Sequence, residues 1–219
     1  MIATYEERLN TLNTRINAII ANQNKAGEIS TMAKSNNTFF DSYDKLLLNL
    51  NSWRLAFKHF DLHLQDNDKA LLKDCLNMAK DNYSSKSVKL AESFKGKVSR
   101  LCSNMANAWN LFSETMENET VDKLTILRVI ANDKRTINNI LIAFSEVKNW
   151  PLTEQTVQNF LNSKEKAANI LESMHFDKAI EDFLRKVSNH EATFLDLNDE
   201  IIEWIRKEGL ERNISINIK

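Results

Sequence analysis

The chain has 219 residues, a formal net charge of −1, 27% charged and 42% hydrophobic residues, and only three glycines and one proline. Charge so evenly balanced sets up no global field to steer a nucleic acid or a strongly basic partner, and no run approaches the ~18 apolar residues of a membrane span. Turns draw on glycine and proline and helix interiors exclude them, so their scarcity rules against a β-rich fold and indicates an all-α chain with few, short connections.

Thr4 and Glu7 are spaced as a capping box at a helix start. Behind them Tyr5, Leu9, Leu12, Ile16 and Ile19 recur at steps of three and four, which predicts a first helix to about Asn24. The segment Met1–Arg8 lacks the basic start and apolar core of a signal peptide, and a cytoplasmic location is the expectation. Gly27 then shifts the phase, because Ala26 belongs to the first seam and Ile29 to the next. That shift predicts a tight turn or a kinked but continuous helix.

The longest pattern follows, through Ile29, Met32, Asn36, Phe39, Tyr43, Leu46, Leu50, Trp53, Phe57, Phe60 and Leu64. Alternating steps of three and four average 3.5 residues per turn, the signature of a helix packed lengthwise on others. Ser35–Asn36–Asn37–Thr38 is its weak point, since short polar side chains compete for backbone hydrogen bonds. Either the helix breaks there, or Asn36 is a polar seam residue that fixes register.

Gln65–Asp66–Asn67–Asp68 ends this run and supplies caps for a helix carrying Leu72, Leu76, Ala79, Tyr83, Leu90, Phe94, Val98, Leu101, Met105, Ala108, Phe112 and Met116, a helix that Asp81–Asn82 and Ser84–Ser85 could still interrupt. The two long helices, joined by so short a turn, are expected to form an antiparallel hairpin over about 28–117. A fourth helix takes Ile126, Ile130, Ile137, Ile140, Phe144 and Val147, with Asp133 at the skipped position, although Leu124–Ile130 is also good strand material. Trp150–Pro151 closes it and Thr153 caps a fifth, with Val157, Phe160, Leu161, Ala168, Leu171 and Met174. A sixth runs through Ile180, Phe183, Val187, His190, Phe194, Leu197, Ile201 and Trp204, with Gly209 and Leu210 as its stop. The expected architecture is thus one elongated antiparallel bundle over 1–212 with coiled-coil-like seams, about six helices and further helices over 120–209. Residues 213–219 are a tail or lone strand, because Asn213–Lys219 alternates polar and apolar at a period of two.

An unpaired strand can add to a sheet on another chain, and Ile214, Ile216 and Ile218 are candidate partner-binding residues on that ground. Lys86, Lys89, Lys97 and Arg100 lie in a stretch poor in acids and are candidate phosphate contacts, set against the commoner case of a solvated helix face. His59 and His63 have the four-residue spacing of two metal ligands, yet no third ligand and no adjacent glutamate accompany them, so an exposed pair is expected. His190 reads as a core histidine. Cys75 and Cys102 read as buried free thiols. No catalytic, cofactor-binding or metal-binding residue is assigned, and no cofactor. The expected function is a non-enzymatic interaction or assembly subunit that binds a protein partner or a second copy through apolar helix stripes and the C-terminal strand. The alternative is an accessory subunit of a nucleic-acid-processing complex, contacting phosphates through 86–100.

Overall fold

The computed structural model describes residues 2–81, 88–174 and 177–214, the side chains of 2–13 and 81 excepted. Among them are eight α-helices: α1 (Ile2–Phe60), α2 (Asp66–Asp81), α3 (Val88–Glu114), α4 (Asn118–Ile130), α5 (Lys134–Glu146), α6 (Glu154–Ser173), α7 (Lys178–Ser188) and α8 (Asp199–Lys207). No strand occurs among the described residues, so the all-α expectation holds. The chain divides into two compact units, Met1–Leu50 with His63–Met105, and Asn51–Leu62 with Ala106–Lys219. Helices α1 and α3 supply residues to both.

The first two expected helices are one. α1 starts at Ile2, ahead of the anticipated Thr4 cap, and continues unbroken through Gly27 and Ser35–Thr38. A helical glycine is disfavoured by only ~1 kcal/mol relative to alanine, which a long helix tolerates. The polar stretch is helical throughout, and on either side of it a hydroxyl bonds back along the helix: Thr31 Oγ1 donates to the Gly27 carbonyl at 2.9 Å and Ser42 Oγ to that of Thr38 at 2.6 Å. Asp61, with φ at 55°, turns the chain out of α1.

In the first unit the expected long hairpin is replaced by a chain that reverses twice. The Phe39 ring lies 4.8 Å from that of Phe94, and the Cys102 thiol donates to the Lys45 carbonyl at 3.9 Å, so α3 runs parallel to α1. Asp74 meets Lys97 at 2.7 Å and Asp68 meets Asn104 at 2.7 Å, so α2 is the antiparallel neighbour of α3. The second reversal lies between Asp81 and Val88, where the apolar period reads straight through Asn82, Ser84 and Ser85. Those residues fall outside the described ones.

The packed column of α1 also differs from the expected seam. Ser35, Leu46 and Asn49 are buried with Ser42, and Phe39 is half-buried among them. Phe39 and Leu46 were expected there, whereas Ser35, Ser42 and Asn49 replace Asn36, Tyr43 and Leu50. Small side chains let a neighbouring backbone approach closely. Their polar atoms are satisfied within α1, since Asn49 Nδ2 donates to the Lys45 carbonyl at 2.8 Å as Ser42 does to Thr38. A buried polar group with a partner carries little penalty.

The second unit has a larger core. Trp109, Leu124, Leu127, Ile130, Ile137, Ile140, Phe144, Val157, Phe160, Phe183, Leu184, Trp204 and Leu210 are all buried in one cluster. α4 packs on α5, α6 and α7, α5 on α6, and α7 on α8. Two buried indoles are anchored: Trp109 Nε1 donates to the carbonyls of Val147 and Lys148, each at 3.2 Å, and Trp204 Nε1 to that of Met174 at 2.8 Å. Leu124–Ile130 is helical, and the expected fourth helix is two. Asp133, read as a skipped seam position, is the N-cap of α5 and accepts from the Thr136 amide at 3.1 Å. Thr153 caps α6 as expected, in a capping box with Thr156.

The expected sixth helix is also interrupted. α7 ends at Ser188 and His190, at φ 58°, turns the chain away, so His190 is exposed instead of buried in a seam. Asn198 then opens α8, accepting from the Ile201 amide at 2.8 Å. Gly209, at φ 65°, stops α8, and Leu210 folds back with its amide on the Ile205 carbonyl at 3.0 Å.

Candidate interaction surface

α1 is amphipathic twice over in the first unit. Roughly a third of a turn round from its packed column, Ile29, Met32, Phe40, Tyr43 and Leu47 form a second apolar column that stays exposed among the described residues. Ile29 is 67% exposed, Phe40 50% and Leu47 42%. Asn36 interrupts it, and Leu50 extends it. Towards the N-terminus the column winds on through Ile16, Ile19 and Ile20, all about half exposed. Every residue from Thr14 to Lys34 is exposed.

The column is anchored from behind. Phe39 stands at the edge of the packed face, edge-on to Phe40 with ring centroids 5.9 Å apart and stacked on Tyr43 at 6.4 Å. Its own ring is stacked on buried Phe94, so the exposed aromatics are tied to the core by an aromatic chain. Burying a side chain of this size is worth ~1.5–3 kcal/mol. Five such residues left between about a third and two thirds exposed hold apolar area that a covering partner can still bury. Sequence periodicity had placed Ile29, Met32 and Tyr43 inside a seam and had not marked them as surface.

The residues singled out from sequence fall elsewhere. Ile214 is partly buried against the core of the second unit. Beside it Asn213 Nδ2 donates to the Ile130 carbonyl at 2.6 Å and to Asn132 Oδ1 at 2.8 Å, closing the open C-terminal end of α4. This segment is a turn followed by a docked side chain. The strand expected to begin at Asn213 is therefore not found there, and Ile216 and Ile218 lie outside the described residues, as does Lys86. Lys89 and Arg100 are exposed, while Lys97 is held by Asp74 of α2, an ion pair that offsets one charge of the basic stretch.

His59 lies in the last turn of α1 and His63 beyond the left-handed Asp61, so the two do not share a helix face. No group of three metal-ligating side chains occurs among the described residues. Cys75 and Cys102 are buried and free, and burial pushes both thiols above their ordinary pKa, which keeps them protonated and unreactive.

In the second unit Phe57, Phe60, Phe112, Met116 and Phe160 floor an open concavity of about 430 Å³, rimmed by the Lys164–Glu117 ion pair. It presents no convergent set of buried polar groups of the kind that orients a small ligand. Phe194, read in sequence as part of a seam, and its neighbour Leu195 stand 73% and 94% exposed on a short turn between α7 and α8. Asp196 fixes that turn, accepting from the Thr193 amide and hydroxyl, each at 2.8 Å, and pairing with Lys186. No helix among the described residues is long and apolar enough to cross a membrane.

Comparison of the chain with known protein families, with curated proteins and with solved structures finds no match.

Proposed function

We propose that this chain is a non-enzymatic assembly subunit that offers the exposed column of α1 to a helix of a protein partner. The observation that carries the reading is the column itself: Ile29, Met32, Phe40, Tyr43 and Leu47 on one helix face, at near-heptad spacing and each more than a third exposed. Contiguous apolar surface of this kind marks a site of association, and a narrow stripe along a helix fits another helix laid beside it. The absence of charged residues from the column favours an apolar partner face.

The basic stretch gives less support to a nucleic-acid role, because Lys97 is ion-paired and Lys95 lies 3.5 Å from Glu92. A photo-activated cross-linking residue placed at Ile29 or Leu47, with Lys166 of α6 as an exposed control, tests the reading in cells. The column positions are expected to give one discrete protein adduct and the control none. Column positions that give no adduct would overturn the reading.

A further inference from the structure

We infer that the helix covering α1 is α1 of a second copy of this chain, parallel and in register, from about Ile16 to Leu47. The inference rests on the proposed function and names its partner. Three features of α1 lead to it.

The first is that residues 14–34 cannot stand as a helix by themselves. All are exposed, and they include Asn17, Asn22, Asn24, Gly27, Ser30 and Thr31, all poor helix formers. Helices lacking tertiary packing are marginal in water even when alanine-rich. A second chain that buries the apolar column of this segment would supply the packing that no described residue of its own chain gives it.

The second is an irregular spacing. The column steps 16, 19, 23, 26, 29, 32, 36, 40, 43, 47. Three successive threes between Gln23 and Met32 tighten the winding, and two successive fours from Met32 to Phe40 loosen it. A regular heptad helix laid alongside would lose its knobs-into-holes fit at both places. An identical helix in parallel register carries the same irregularities at the same heights, so the fit is kept along the whole length.

The third is the placing of polar residues. Gln23 and Asn36 occupy the column itself. A parallel, in-register pair sets each amide against its own copy, where donor and acceptor can satisfy each other, and most other registers set at least one of them against an apolar side chain. Flanking positions, which set partner choice by charge, are mostly uncharged here: Ile20, Asn22, Gly27, Ala33 and Phe39, with Arg15, Glu28 and Asp44 the charged exceptions. In the parallel pair Arg15 lies across from Ile20, Glu28 from Ala33 and Asp44 from Phe39, so no like charges meet. The flanks thus carry no charge code for an unlike chain, and a net charge of −1 leaves two copies free to approach.

The test uses the purified full-length chain. Sedimentation velocity over a hundredfold range of concentration is expected to show a species of twice 25.3 kDa. Ile19→Asp and Ile29→Asp, both at exposed sites, are expected to raise its dissociation constant at least about tenfold, with helicity of the α3–α8 segments unchanged. Gln23→Cys is expected to form a chain-to-chain disulfide under mild oxidation, and Arg15→Cys, off the column, to form far less. A monomer at every concentration, a dimer indifferent to both aspartates, or a dimer in which Gln23→Cys does not cross-link would each overturn the inference. An in-cell adduct to an unlike protein, with a monomer in solution, would overturn it while leaving the proposed function standing. Absence of any in-cell adduct would remove both.

Discussion

The second unit closes its own core and the first does not. Around Trp109 the second unit gathers more than twenty mutually packed buried residues and caps α5, α6, α7 and α8 with Asp133, Thr153, Asp177 and Asn198, while its exposed large apolar side chains, among them Leu111, Ile142, Phe194 and Leu195, form no column along a helix. The first unit buries one column of α1 and leaves the other exposed. Both are built from the same three-and-four spacing. Hydrophobic periodicity therefore reports that a face will be covered without reporting by what, and the contrast separates a folding core from an association surface.

The largest effects should come from the closed unit. Trp109→Ala removes a fully buried indole and two hydrogen bonds to the turn after α5, and is expected to destabilise the second unit by about 3–5 kcal/mol in denaturant unfolding. Leu46→Ala, at the packed column of α1, should destabilise the first unit by about 2–5 kcal/mol. By contrast Leu47→Glu, one residue along but on the exposed column, should leave the stability of the isolated chain within about 0.5 kcal/mol and abolish association. An equal stability loss at Leu46 and Leu47 would erase the distinction between the two columns.

Smaller effects sharpen the picture. Asn198→Ala removes the N-cap of α8 and is expected to cost about 1 kcal/mol. Gly96→Ala lies at an exposed point in α3, where an added Cβ meets nothing, and should stabilise the first unit by about 0.5–1 kcal/mol.

The Phe194–Leu195 turn adds a pH dependence. The Lys186 ammonium, followed by the Thr193 amide and hydroxyl, lowers the Asp196 carboxyl from 3.8 to about 2. A carboxyl depressed in the folded state stabilises above its unfolded pKa, and that contribution is lost as pH falls from about 4 to about 2. Carboxyl titration by NMR should find a midpoint near 2, moving up towards 3.8 in Lys186→Met. A midpoint that does not move in that variant would show that the pair does not hold the turn.

Much of the fold is legible in the sequence, for identifiable reasons. Scarce glycine and proline dictate an all-helical chain, Gln65–Asp68 marks the start of α2 although α1 already ends at Phe60, Thr153 starts α6, and Gly209 with Leu210 stops α8. Where the reading fails, two physical signals coincide in one pattern. Phe39, Leu46, Trp53 and Phe60 belong to the packed column of α1, but their hydropathic companions Tyr43 and Phe57 do not. Small residues that bond to their own helix, Ser42 and Asn49, are buried instead, and no hydrophobicity scale favours them. Asp133, His190 and Asn198 interrupt helices at places where the apolar period happens to run on, so only cap geometry reveals the breaks. The exposed column is legible as a seam and illegible as a surface, because its covering is not in the chain's own fold.

The central claim is that α1 from Thr14 to Lys34 is ordered by a partner and not by its own chain. Hydrogen exchange of that segment, followed with protein concentration in the wild type and in Ile29→Asp, tests this most directly. Protection that rises with concentration in the wild type and stays low in the variant, while α5 is unchanged in both, is the predicted result. Protection equal in the two proteins at every concentration would contradict it.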